Sequence, residues 1–168
     1  MPKKVLMIIA PRDFRDEEYF DTRKVLEESG AEITVANSTG QASKSMFGKI
    51  VNPDKNLYDI DSKDYDAIVF VGGQGTPVYF DNKQAQNLAK EFNNSGKIVA
   101  AICIAPVILA RAGVLSGKKA TVFPSGKNDI NAVGTYTGNP VEKDGNIITG
   151  SGPEAAVEFG KKIVEALK

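Results

Sequence analysis

The chain has 168 residues, 42% of them hydrophobic and 25% charged, the make-up of an ordinary globular chain with enough apolar material for a sizeable core, so a single domain over residues 1–168 is expected. Lys and Arg together number 21, as do Asp and Glu, and this balance excludes a bulk electrostatic drive toward nucleic acid or an anionic membrane. One cysteine, Cys103, and no histidine exclude a disulfide framework, a multi-cysteine zinc site, a histidine-ligated metal and any triad built on an imidazole within one chain.

Catalysis, if present, falls to carboxylates, a thiol or backbone amides, with neither metal nor organic cofactor. The first apolar run, Val5 to Ala10, is closed by Pro11-Arg12-Asp13. That is too short for a signal-peptide core or a membrane span, and a lone cysteine fits a reducing compartment, so a cytoplasmic location is expected.

In chain order, apolar runs rich in β-branched residues predict buried strands at Val5 to Ala10, Ile33 to Ala36, Ala67 to Val71 and Ile98 to Ile102. Their unbroken apolar character means that both faces are covered, as in a parallel sheet between helices. A helix is predicted from Asp16 to Ser29, with Tyr19, Val25 and Leu26 inward and Ser29-Gly30 as its stop. Residues Ala42 to Asp64 read as a polar excursion in which Ile50-Val51 alone forms a short edge strand.

A second helix spans Asn82 to Asn94, with Leu88, Ala89 and Phe92 inward, and a third follows Pro106 directly, from Val107 to Ala112. Short β segments are predicted at Ala120 to Phe123 and Asn146 to Thr149, with Lys143-Asp144-Gly145 as a hairpin turn. The last helix runs from Glu154 to Leu167 after Gly152-Pro153. Strand and helix in alternation imply a three-layer α/β/α sandwich around a mostly parallel, flavodoxin-like sheet with right-handed crossovers.

Ligand sites in such sheets lie beyond the carboxyl ends of the strands, so the loops after Ala10, Val71 and Ile102 are the ones to inspect. Ala101-Ile102-Cys103-Ile104-Ala105-Pro106 places a cysteine at a strand-to-helix turn, the setting of a nucleophile elbow. The first helical amides and the helix dipole are expected to lower the thiol pKa and to bind an oxyanion. A small buried hydrophobe is the competing reading of a lone cysteine in an apolar stretch, and the residues alone weigh the two evenly.

Gly72-Gly73-Gln74-Gly75-Thr76 lets the backbone approach a ligand closely, or simply makes a tight turn; it matches neither a Walker nor a dinucleotide loop. Arg15-Asp16-Glu17-Glu18 reads as a largely solvated first helical turn, from which one carboxylate can point inward at the thiol. Ionised, that carboxylate would raise the thiol pKa; protonated, it would donate to the thiolate. A useful Glu here must be partly buried and itself shifted upward.

With these loops in place the chain resembles the ThiJ/PfpI superfamily, on the class I glutamine amidotransferase-like fold. The likeness rests on Phe14-x-Asp16-x-Glu18, Gly72-Gly73, the elbow from Ala101 to Pro106, Val141 to Gly145, and Gly152-Pro153. It implies that Cys103 is the reactive thiol, Glu18 the carboxylate bonded to it, and the amides of Gly73 and Ile104 the oxyanion hole. It further implies a homodimer, and a pocket wall containing Gly72, Phe47, Pro77 and Phe123. The chain departs from the family where a histidine is usual, after the cysteine at Ile104 and near the pocket at Phe123, and where Arg15 replaces an upstream glutamate of PfpI-like members.

Loss of those histidines removes the proton donor that a leaving amine needs, which disfavours peptide hydrolysis. Three readings remain: glyoxalase- or deglycase-type chemistry of Cys103 on a small reactive carbonyl, a stress-linked redox sensor or chaperone through oxidation of Cys103, and an inert binding domain that kept the elbow. The expected partner is a small carbonyl substrate, with no nucleic acid and no membrane.

Overall fold

The four apolar runs become the parallel centre of one sheet. The computed structural model describes residues 1–168. Its elements in order are β1 (Lys4–Ile8), β2 (Arg12–Phe14), α1 (Asp16–Glu28), β3 (Glu32–Asn37), β4 (Ser43–Ser45), β5 (Ile50–Val51), β6 (Lys55–Asn56), β7 (Ala67–Phe70), α2 (Lys83–Asn94), β8 (Ile98–Ile102), α3 (Pro106–Arg111), β9 (Lys119–Ala120), α4 (Lys127–Asn131), β10 (Thr135–Tyr136), β11 (Val141–Asp144), β12 (Ile147–Gly150) and α5 (Ala156–Leu167).

The main sheet has seven strands in the order β11-β12-β8-β7-β1-β3-β6. Every pairing is parallel except β11 with β12. The pleat sorts each apolar run onto two faces. Leu6, Ile8, Ile68, Phe70, Val99 and Ala101 pack with Leu88, Ala89 and Phe92 of α2 and with α3. Val5, Met7, Val69, Ala100 and Ile102 pack on the other face with Tyr19 and Leu26 of α1 and Phe159 and Ile163 of α5. This is the three-layer sandwich, and no helix in it is long and apolar enough to cross a membrane.

Three local expectations are corrected. Ile50-Val51 is not an edge of the main sheet; β5 pairs with β4, which pairs with β2, in a separate three-stranded sheet. Pro11-Arg12-Asp13 does not merely close β1, because Arg12 already belongs to β2. The hairpin near the end turns one residue later than predicted, at Gly145-Asn146, between β11 and β12. Strand β11 was hidden because Val141-Glu142-Lys143-Asp144 is a charged, part-exposed edge with no apolar run.

Two separate apolar layers make a prediction about coupling. Leu88→Ala, on the α2 face, should cost about 2–5 kcal/mol, and Ile163→Val, on the α5 face, about 0.5–1.5 kcal/mol. Urea denaturation of the double variant should give the sum of the two losses within about 0.5 kcal/mol, since the residues share no packing neighbours across the sheet. A larger deviation would show that the layers are not independent.

Candidate active site

The carboxyl ends of β1, β7 and β8 deliver three loops to one place. Cys103 follows the last residue of β8 and has φ of 65°, in the left-handed region. For a residue with a Cβ this costs on the order of 1–3 kcal/mol, and it persists only where the surroundings enforce it. The surroundings are visible: the Cys103 N–H donates to the Gly150 carbonyl at 2.9 Å, and its own carbonyl accepts from the Phe123 N–H at 2.7 Å. The backbone is thus pinned on both sides, and the side chain is left 9% exposed at the floor of a cavity.

Glu18 comes to the same floor from the first turn of α1. It is fully buried, and neither carboxyl oxygen has a partner at full hydrogen-bond geometry. Burial pushes its pKa up to about 8, against smaller opposing pulls from the Cys103 thiol, the Arg15 charge and the Gly72 amide. Of the four charged residues from Arg15 to Glu18, therefore, not all are solvated. Asp16 is buried too, accepting from the Ser45 hydroxyl at 2.7 Å and from the Phe47 N–H at 3.1 Å.

The thiol is shifted in the direction opposite to the one expected from the elbow. Burial pushes Cys103 up, and the Glu18 charge and hydrogen bond push it further, while the Ile104 amide and Arg15 only partly oppose them. Helix α3 has six residues, too few for a strong dipole, so desolvation wins. Repulsion between the two groups operates only once both are ionised. With Glu18 protonated up to about pH 8, the first proton to leave the pair leaves one negative charge for sulfur and carboxylate to share.

Close approach explains the glycine pair. A Cβ on Gly72 would stand 2.5 Å from Glu18 Oε1, 2.5 Å from the Ile102 carbonyl oxygen and 2.6 Å from Cys103 Cβ. Only hydrogen fits between acid and thiol. Gly73 has φ of 131°, and neither its N–H nor that of Ile104 donates to an oxygen within the protein, the Ile104 N–H lying toward the Cys103 sulfur. Two amides near the thiol are therefore free for an oxygen of a ligand.

The cavity holds about 450 Å³, and Glu18, Gly73, Pro77, Cys103, Ile104 and Phe123 all line it. Two expected wall residues do not. Gly72 lies behind the wall, wedged between the acid and the elbow. Phe47 is 66% exposed outside it, its ring 5.0 Å beneath the Arg15 guanidinium, and the neighbouring Met46 lines the cavity instead. The reason is the turn between β4 and β5, whose backbone is drawn onto Asp16. Arg15, Gln74 and Glu154 also line the cavity. Arg15 stood in the sequence only as a departure from a family pattern, and Glu154 as the start of a helix, so neither carried a local signal.

The pKa of Glu18 has a consequence for stability. A carboxyl whose folded value is raised keeps its proton longer than in the unfolded chain, so its contribution is fully present below about pH 4.5 and is lost as pH rises to about 8. Denaturation across this window should show the native protein losing up to about 5 kcal/mol relative to Glu18→Gln. Parallel pH curves for the two proteins would contradict the burial of an uncompensated acid.

Comparison with known proteins places this geometry. Residues 3–166 match the DJ-1/PfpI family profile. An uncharacterized protein of Methanocaldococcus jannaschii is 43% identical over 98% of this chain and 82% of its own length. The crystal structure of a ThiJ/PfpI domain protein from Brachyspira murdochii superposes with a TM-score of 0.96 at 30% identity, covering 99% of this chain and 98% of that one. Relatives with a functional name include a deglycase of Pyrococcus horikoshii, 32% identical over 98% of this chain and 99% of its own, and a glutathione-independent glyoxalase of Caenorhabditis elegans, 30% identical over 99% and 89%. An elbow cysteine, a buried glutamate and a glycine pair thus meet in a chain that superposes almost end to end on a solved ThiJ/PfpI domain, and the chain belongs to the DJ-1/PfpI family.

Proposed function

We propose that this protein acts on small reactive carbonyl compounds through Cys103, with Glu18 as the proton carrier. The observation that supports this most is Glu18 itself: a fully buried carboxyl beside the thiol, with a pKa of about 8. Proton transfer is most efficient when the pKa of the carrier lies near the working pH. The thiol is not a ready thiolate, so its proton must leave as sulfur attacks, and Glu18 is the group placed to take it.

In the proposed reaction, which starts from the ionised fraction of Glu18 present near its pKa of about 8, Cys103 Sγ bonds to the aldehyde carbon of a 2-oxoaldehyde while the thiol proton passes to the Glu18 carboxylate. The carbonyl oxygen gains the electron pair and lies against the free N–H groups of Gly73 and Ile104. Glu18 returns the proton to that oxygen, giving a hemithioacetal. The carboxylate then removes the proton on the former aldehyde carbon, giving an enediol, and delivers it to the adjacent carbon, while the hydroxyl proton on the former aldehyde oxygen passes to the neighbouring oxygen; the product is the thioester of a 2-hydroxy acid. Water hydrolyses the thioester to a 2-hydroxy acid and frees the thiol. The net change is the addition of one water, with no outside oxidant or reductant.

The names of the deglycase and glyoxalase relatives agree with this class of substrate. Peptide hydrolysis fits less well, since Ile104 and Phe123 offer no proton to a leaving amine. Oxidation as the principal role gains no support from the upward shift of the thiol, because peroxide reacts with thiolate.

Turnover decides the matter. Purified protein should convert methylglyoxal to lactate, Cys103→Ser should have no activity above background, and Glu18→Gln should lose about 10²- to 10⁴-fold in kcat. Equal lactate formation by the native protein and Cys103→Ser would refute the proposal.

A further inference from the structure

The thiol and the acid occupy only the floor of the cavity. Its volume of about 450 Å³ lies in the range that encloses ligands well beyond a three-carbon carbonyl. The rest of the wall must therefore meet a part of the substrate that does not react. Arg15 is the one cation in that wall.

Arg15 is held in place from two sides. Its Nε and Nη2 donate to Glu17 Oε2 at 3.1 and 2.7 Å, and its guanidinium plane sits 5.0 Å over the Phe47 ring. Asp16 anchors the turn that bears this ring, accepting from the backbone N–H of Phe47 at 3.1 Å and the hydroxyl of Ser45 at 2.7 Å. Nη1 makes no hydrogen bond within the protein. The side chain is a planar cation fixed at the cavity, with donors still free, the arrangement that suits a carboxylate. The charge also acts at the floor, where it favours the ionised forms of both Glu18 and Cys103.

We propose that Arg15 sets the substrate specificity of this site: its free Nη1 receives a carboxylate at the non-reacting end of the substrate while Cys103 takes the carbonyl, so carbonyl compounds bearing a carboxylate are preferred to neutral ones. This inference rests on Cys103 being the attacking group in the proposed function.

Alkylation with two probes of nearly equal size tests it without requiring turnover. Iodoacetate and iodoacetamide each form a C–S bond with Cys103 and release iodide, and they differ in charge. The ratio of their rates cancels the thiolate fraction. In the native protein the ratio of iodoacetate to iodoacetamide rates should exceed that of the denatured chain and shrink with added salt. Arg15→Gln should lower it about three- to tenfold, and Arg15→Lys should keep most of the preference. Arg15 is a part-exposed side chain, so both variants should fold, which circular dichroism checks. A native ratio equal to the denatured one, or unchanged in Arg15→Gln, would overturn the inference. If the ratio falls as expected while methylglyoxal gives no lactate, the carboxylate-binding role of Arg15 beside Cys103 stands and the carbonyl chemistry falls.

Discussion

A carboxylic acid buried against a buried thiol is the constraint to which the rest of the site answers. Glu18 is fully buried and has no strong hydrogen-bond partner, so its charged form is costly and the proton stays. Cys103 feels the same desolvation and cannot discharge into an environment that already resists one negative charge. Everything nearby serves to hold the two together. Gly72 gives up its side chain so that they can approach, the hydrogen bonds to Gly150 and Phe123 fix the elbow in a left-handed conformation, and α1 brings Glu18 in from the other layer.

Such a pair is a proton store more than a standing nucleophile. A depressed thiol pKa would supply thiolate at all times and expose it to oxidants. A raised one keeps sulfur neutral and, in the proposed reaction, lets its proton pass to the ionised Glu18 as an electrophile arrives. In the proposed reaction the amides of Gly73 and Ile104 matter more than the short α3, because they face the oxygen where charge would develop. Arg15 adds a second element at the wall, and its clamp of Glu17, Phe47 and Asp16 joins the small β2-β4-β5 sheet to the chemistry of the large one.

Much of this was legible in the residues. Continuous apolar runs at 67–70 and 98–102 declare strands buried on both faces, and from their order follows the place where the loops converge. Cys103 at a strand-to-helix turn, Glu18 in the first turn of α1 and the Gly72-Gly73 pair were all identifiable. What failed were signs and contacts set by tertiary packing. The direction of the thiol shift depends on how much water the elbow excludes, which no local pattern records. Asp16 was read among solvated acids because its partners, Ser45 and the Phe47 amide, lie about thirty residues away. For the same reason Phe47 was assigned to the pocket, when the turn that bears it presents Met46 there and leaves the ring under Arg15.

The account stands most directly on the protonation state of Glu18. Proteins labelled with carbon-13 at glutamate carboxyls, native and Glu18→Gln, identify its signal by difference, and a pH titration reads its pKa. A midpoint near pH 8, with the remaining carboxyls in the ordinary range near 4.3, is the predicted result. A midpoint in that ordinary range would show a carboxylate fully ionised at neutral pH, and would contradict the buried, proton-retaining acid on which the account rests.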